Sequence, residues 1–501
     1  MERWKDKMKK SLAWKADRKT VAFVSAAVLL VLLIPLCLIS FYSAPWYDDY
    51  IYGRFVRNFL REENSLSSAL KGALYCVHTE WWAWQGTFSS IFFMAFVPFV
   101  WGESWYALGP LFLIFLLVFS VFVLVKVLAG SVLGADRWTC LILQSITAAM
   151  TLLLLYHAQE GLYWYIGGIH YIGMHSFLFL LIAAWVKLLH GGGRAAAAAL
   201  VLWSALGAVL AGGSNYVTTL QGLLVGLSLL ALGVLLRNRR AALLVPSLAV
   251  YGYAFYKNIS APGNAKRSAA FQGAGMEPVE AVLRSFQEAF AYLWEFSGLI
   301  TLAIALLLAP VIWNMVRKAD LRFRFPGLLL AWSFCLYATG FTPSLYAMGH
   351  AGLGRTLNAV KLTWQILFLI NEVYWLGWFQ ARRKKRGEPE KEVFGTGVPV
   401  VFYMIMAVAM LGIFKIDENK IGHYSSWGAY CYLRDGEAQR FHQEYLERVE
   451  TIREGGPVVT VKPLESRPWL LSPGELSEDR YSEPNRAMAD WYDKEAIICG
   501  P

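Results

Sequence analysis

The chain has 501 residues, 57% of them hydrophobic and only 16% charged. That composition excludes a soluble globule of this size, and several apolar runs exceed eighteen residues, which points to a polytopic α-helical membrane protein. The formal net charge of +10 is no nucleic-acid footprint, because the cations stand in short blocks between apolar runs, the pattern of cytoplasmic loops.

Residues 1–20 carry Lys5, Lys7, Lys9, Lys10, Lys15, Arg18 and Lys19 and read as a basic cytoplasmic N-terminus. The run after them, Val21–Tyr42, is too long for a signal h-region and no convincing small-residue cleavage site follows. It is therefore read as an uncleaved first span. Where it gives out stands Ser43-Ala44-Pro45-Trp46-Tyr47-Asp48-Asp49-Tyr50-Ile51-Tyr52-Gly53-Arg54. Aromatic rings anchor a chain at the membrane interface. Two adjacent carboxylates anchor nothing in lipid, so Asp48 and Asp49 are functional candidates, with Arg54 one turn on. The competing reading is that they charge the first turn of a juxtamembrane helix.

From Arg54 to about Gly86 the residues Phe55, Phe59, Leu66, Leu70, Leu74 and Val77 recur at helical spacing among charges, which predicts an amphipathic helix on the membrane surface. Further apolar runs follow at Phe88–Trp101, Trp105–Leu128, Trp138–Tyr156, Tyr171–Leu189, Ala195–Ala211, Val217–Leu236, Ala241–Tyr256, Leu293–Val316, Pro326–Phe341, Val360–Phe379 and Val398–Phe414. Cation blocks at Lys187/Arg194, Arg237–Arg240, Arg317–Arg324 and Arg382–Arg386 are mutually consistent as inside loops. That parity puts Gln159–Gly168, Gly212–Tyr216, Ser260–Arg284, Ser344–Asn358 and the tail on the other face. Phe88–Trp101 breaks the parity, and its fourteen residues with Pro98 suit a re-entrant or surface segment. The expectation is an all-α domain over 21–416 with about eleven transmembrane helices, a first extracytoplasmic loop over 43–104, and an extracytoplasmic polar tail over 417–501.

In the tail, Asp435-Gly436 suits a helix start, Ala438, Phe441, Tyr445, Val449 and Ile452 follow helical spacing, and Val458–Val461 reads as a strand. The remainder reads as loop, and the whole as a small lid or appendage. Of the six cysteines, Cys431 and Cys499 share the tail and could pair there; nothing local demands it.

The other polar clusters fall on the same outer face. His157-Ala158-Gln159-Glu160-Gly161-Leu162-Tyr163-Trp164-Tyr165 continues to His170, and Glu160 is either functional or an ordinary solvated span end. The spacing of His157, His170 and His175 matches no familiar metal site. In Gly212–Tyr216, Asn215 could bond a sugar hydroxyl or cap the next helix. Ser260-Ala261-Pro262-Gly263-Asn264-Ala265-Lys266-Arg267 presents an amide and two cations, and His350–Asn358 presents His350 and Arg355 among glycines. Cations on an outer face run against the usual bias, and guanidinium forks match phosphate oxygens; snorkelling is the alternative. There is no Walker lysine motif, no H-E-x-x-H and no G-x-S-x-G, so ATP-driven transport, zinc proteolysis and serine hydrolysis lose their usual support.

With those residues in hand, the chain resembles bacterial glycosyltransferases of the GT-C class, multi-spanning enzymes that take a sugar from a polyprenyl-phosphate carrier on the outer membrane face. The P-W-Y-D-D-Y opening, E-G-L-Y-W-Y, A-P-G-N-A-K-R and the polar tail resemble an uncharacterised bacterial membrane-protein family near that class. The resemblance implies a catalytic base at Asp48 or Asp49, phosphate stabilisation by Arg267 and Arg355 with Lys266 in support, and sugar stacking on Trp46, Tyr47, Trp164 and Tyr165. Arg54, Glu160, Asn215, Asn264 and His350 complete the expected substrate-binding set. It leaves one cofactor open, a magnesium or manganese ion for which Asp48, Asp49 and Glu160 offer oxygen ligands. The implied partners are the polyprenyl-phosphate sugar, the bilayer of the bacterial plasma membrane and a cell-envelope glycan or lipid acceptor. The alternative is a transporter or flippase of a lipid-linked glycan, which would gather its polar groups near the bilayer midplane.

Overall fold

A computed structural model describes residues 15–270, 273–387, 398–416 and 424–500. Most of the basic start (1–14) and the first residues of the tail (417–423) lie outside them. The described chain is almost entirely helical. Its strands are a two-residue antiparallel pair, β1 (Lys15–Ala16) with β2 (Val398–Pro399), and a parallel pair in the tail, β3 (Val458–Val461) with β4 (Ala496–Cys499).

Seven helical stretches are long and apolar enough to cross a membrane: Arg18–Tyr42, Glu103–Val132, Tyr165–His190, Arg194–Gly212, Tyr216–Leu235, Pro278–Val316 and Pro326–Met348. Each overlaps a run read from the sequence. The chain is thus an all-α membrane protein with apolar side chains turned outward: Leu30 and Val31 are 61% and 65% exposed, which suits hydrocarbon rather than water. The four other expected spans are helical but shorter or more polar. Arg137–Leu153 and Val400–Ile416 have 17 residues each and Val245–Ile259 has 15, while Val360–Phe379 lies within a 32-residue helix, Gly354–Lys385, that carries polar groups along its length.

The helices that matter below are α1 (Arg18–Ile39), α2 (Asp48–Glu62), α3 (Leu66–Ala83), α4 (Phe88–Ala95), α5 (Leu108–Val125), α6 (Arg137–Leu153), α7 (Met174–His190), α8 (Arg194–Gly212), α9 (Tyr216–Leu235), α10 (Val245–Ile259), α11 (Pro262–Ala270), α12 (Pro278–Val316), α13 (Pro326–Ala338), α14 (Thr342–Met348), α15 (Gly354–Lys385) and α16 (Val400–Ile416). The amphipathic stretch over 54–86 forms an antiparallel pair of helices, α2 and α3. Glu63 turns extended, and Ser65 caps α3 by accepting the Ser68 amide. Helical periodicity continues in phase across that break, so it conceals the turn. Phe88–Trp101 is also broken: α4 stops at Ala95 and Pro98 opens a 3-10 turn.

The tail is more ordered than its composition promises. α17 (Ser425–Arg434) and α18 (Glu437–Glu454) are followed by β3, then by α19 (Glu483–Trp491) and β4 in the stretch expected to be loop. It is no loose appendage either. One apolar core runs from Leu36 and Ile39 of α1 through Tyr50 and Val56 of α2 to Phe441, Tyr445 and Ile497 of the tail. Polar ties reinforce it: Arg61 pairs with Asp493 at 2.6 Å, Tyr492 donates to Glu103 at 2.8 Å, and the Ser425 hydroxyl donates to the Leu152 carbonyl at 2.7 Å. Cys431 and Cys499 are both free thiols, so no disulfide holds the tail.

Candidate functional site

Asp48 and Asp49 open α2, and Arg355, Arg267 and Glu483 from three other helices act on Asp48. Asp49 is fully buried. Its carboxylate accepts hydrogen bonds from the Trp46 amide (2.8 Å), the Tyr106 hydroxyl (2.8 Å) and the Ile166 amide (3.2 Å). It thereby fastens the start of α2 to the 3-10 turn before α5 and to the turn before α7. Burial pushes it up to about 7 against those three donors. Asp48 is different: it is half-buried and accepts no hydrogen bond among the described residues. Burial raises its pKa to about 6, Arg355 and Arg267 pull it down, and Glu483 pushes it up. The two adjacent carboxylates therefore differ in their partners: Asp49 has three donors, whereas none reaches Asp48 among the described residues.

The residue before them is strained. Tyr47 holds φ 36° and ψ −93°, a conformation an L-residue keeps only when its surroundings enforce it. Its hydroxyl donates to Glu483 of α19, so the tail grips the residue that aims Asp48.

Two cations face this carboxylate. Arg355 begins α15; its amide donates to Glu160 at 2.7 Å, its guanidinium stands 3.8 Å from the same carboxylate, and it lies over the Trp164 ring at 5.0 Å. Arg267 of α11 donates to Gln85 and lies over Trp84 at 5.5 Å. α11 reaches this position because Gly86 admits the chain behind it: a Cβ there would meet the Asn258 carbonyl oxygen at 1.8 Å. Glu80 of α3 borders the same space, its pKa raised by burial and lowered by Arg54.

Other expected substrate ligands turn out to be structural. Asn264 accepts from the Gly86 amide (3.0 Å) and the Tyr216 hydroxyl (2.9 Å) and donates to the Asn258 carbonyl (2.8 Å). Asn215 caps α9 through the Thr218 amide and donates to the His170 carbonyl, which selects capping over sugar binding. The Trp46 ring packs on Gly474 of the tail, where a Cβ would come within 2.5 Å. Tyr165 is buried with its hydroxyl on the Phe93 carbonyl, so its ring is core rather than a sugar platform. Arg54 reaches Asp490 of the tail at 3.4 Å, Lys266 is exposed, and exposed His350 closes a local turn by accepting the Gly352 amide. Trp164 is buried beneath Arg355.

The carboxylates do not make a metal site. Asp49 is occupied by three donors and Glu160 by Arg355, which leaves Asp48 alone; among the described residues no three His, Cys, Asp or Glu side chains gather as cation ligands. His157 and His170 are likewise apart in role, one against Trp469 at 5.1 Å and the other bonded to Ser90 at 2.8 Å. His175 is in the bundle interior, between Thr218 and Thr363.

Sequence reading missed Glu483 and Tyr106. The signal for Glu483 was Ser482-Glu483-Pro484, a helix opening with an early proline; Tyr106 gives none. Comparison with family models, curated proteins and solved structures yields no match.

Proposed function

We propose that the protein is a membrane glycosyltransferase of GT-C type, with about eleven spans, in a bacterial plasma membrane. It moves a sugar from a polyprenyl-phosphate carrier to a cell-envelope glycan or lipid acceptor on the extracytoplasmic face, with the N-terminus in the cytoplasm. The observation that carries the reading is one uncommitted carboxylate, Asp48, facing two guanidinium groups, Arg267 and Arg355. In the proposed reaction the acceptor hydroxyl oxygen attacks the anomeric carbon as the carbon–oxygen bond to the lipid phosphate breaks. The hydroxyl proton passes to Asp48, and the bonding electron pair leaves with the phosphate. Arg267 and Arg355 favour that departure by meeting the charge that develops on the phosphate oxygens. Tyr47 and Glu483 aim the base, and Asp49 holds the turn on which it stands.

Export of a lipid-linked glycan would draw on polar groups in mid-bundle. His175, Thr218, Gln221 and Thr363 are bonded to one another, while Gln365, Asn371 and Glu372 of α15 each keep a buried side-chain oxygen without a partner among the described residues, so the preference for transfer rests on Asp48, Arg267 and Arg355. The test is the envelope-glycan composition of a deletion strain by mass spectrometry. A glycan species should disappear, return with the wild-type chain and stay absent with Asp48→Asn. An unchanged envelope in the deletion strain would sink the reading.

A further inference from the structure

A second feature lies at the far end of the bundle. A cavity of about 180 Å³ opens between the end of α5 with the turn after it, α6, the second half of α12 and α15. Leu128, Ile312, Ile366 and Ile370 are among its eighteen lining residues, of which only Thr147 and Tyr374 carry a polar side-chain atom. The Tyr374 hydroxyl is turned away to the Arg324 carbonyl at 2.5 Å. An apolar void of this order stays dry and accepts hydrocarbon. It is not the site described above, since Ile366 to Tyr374 stand eleven to nineteen residues beyond Arg355 on the same helix, roughly 16–28 Å along its axis.

The loop between α12 and α13 joins this cavity to charge. It sends Leu321 and Phe323 into the lining, Phe323 being buried, while Lys318, Arg322 and Arg324 on the same loop are exposed and make no ion pair among the described residues. Asp320 is the loop's single acid. An apolar void in a membrane protein, with three exposed cations on the loop that helps to line it, has the chemistry of one kind of molecule. We propose that the cavity takes an acyl chain of an anionic phospholipid from the bilayer, with its head group on Lys318, Arg322 and Arg324. Each such cation near a lipid phosphate is worth about a fivefold change in retention, on the order of a hundredfold for three.

The test is native mass spectrometry of the full chain, purified in detergent and offered phosphatidylglycerol and phosphatidylcholine with matched acyl chains. Wild type should retain phosphatidylglycerol preferentially, at one molecule per chain. Lys318→Gln, Arg322→Gln and Arg324→Gln together should reduce that retention to the phosphatidylcholine level. Ala129→Phe, which fills the cavity from a buried lining position, should reduce both. Because that variant could fail to fold, the triple variant decides the question alone: the lipids must differ in wild type and cease to differ in it. Equal retention of the two lipids by wild type, undiminished phosphatidylglycerol on the triple variant, or displacement of phosphatidylglycerol by polyprenyl phosphate would each overturn the proposal. None of these outcomes depends on the proposed transferase reaction.

Discussion

Replacing Arg355 by glutamine should move the titration of Asp48 upward. The Asp48 carboxyl is held at about 6 by burial, opposed first by Arg355 and then by Arg267, with Glu483 acting the other way. Removing the larger of the two opposing cations leaves burial less balanced, so the proton is released at higher pH. A unit charge about 10 Å away at an effective dielectric near 20 is worth about 1.7 kcal/mol, which is about one pH unit. Arg355→Lys keeps the charge and should leave the titration near 6, which separates electrostatics from packing on Trp164. Infrared spectroscopy of the carboxyl band, assigned by its disappearance in Asp48→Asn, reads this without any substrate. If transfer is the activity, the acid limb of its pH profile should shift by the same amount, with rate lost as pH falls through the Asp48 pKa. A band that stays in place in Arg355→Gln, or moves down, would refute the electrostatic hold of Arg355 on this carboxylate.

The two aspartates should part company. Asp48→Asn should cost the proposed transfer about a hundred- to ten-thousandfold with the melting temperature unchanged, whereas Asp49→Asn presents an amide NH2 to donors and should lose about 1–3 kcal/mol of stability by thermal unfolding. Arg267→Lys and Arg355→Lys should each reduce donor turnover at least about tenfold if the forks grip phosphate; wild-type rates in both would place the phosphate elsewhere. Arg448 is buried against Glu475 at 2.7 Å and the Lys462 carbonyl, so Arg448→Ala should destabilise the tail by about 3–5 kcal/mol, seen as faster limited proteolysis after α17. For topology, a cysteine at Tyr481, which is 73% exposed, should be labelled in intact cells by an impermeant reagent once native cysteines are removed; labelling only after lysis would overturn the proposed orientation.

The seven candidate spans were legible because hydrocarbon sets a length and a composition that a sequence cannot hide. Asp48, Glu160, Arg267 and Arg355, which the parity argument put on one face, do lie near one another. What each polar residue does there was not legible. Asn215, Asn264 and Asp49 carry the same groups as ligands do, and only their partners, the Thr218, Gly86 and Trp46 amides among others, reveal them as fasteners. The break between α2 and α3 was invisible because periodicity survived it. In the tail, α18 and β3 were legible from spacing, whereas α19 and β4 were hidden in a stretch rich in Pro, Ser and acids whose apolar residues nonetheless join the core of α1 and α2.

Tyr47 is kept in its strained conformation by a residue made some four hundred positions later. At about 5–20 residues per second, Glu483 follows Asp48 out of the ribosome by roughly 20 to 90 s. Through that interval the spans can insert and Asp49 can find its donors, yet the grip on Tyr47 does not exist. That contact therefore forms only after all the candidate spans have emerged. A chain cut short within the tail, after α18 and before α19, would keep every candidate span and still lack the contact between Tyr47 and Glu483.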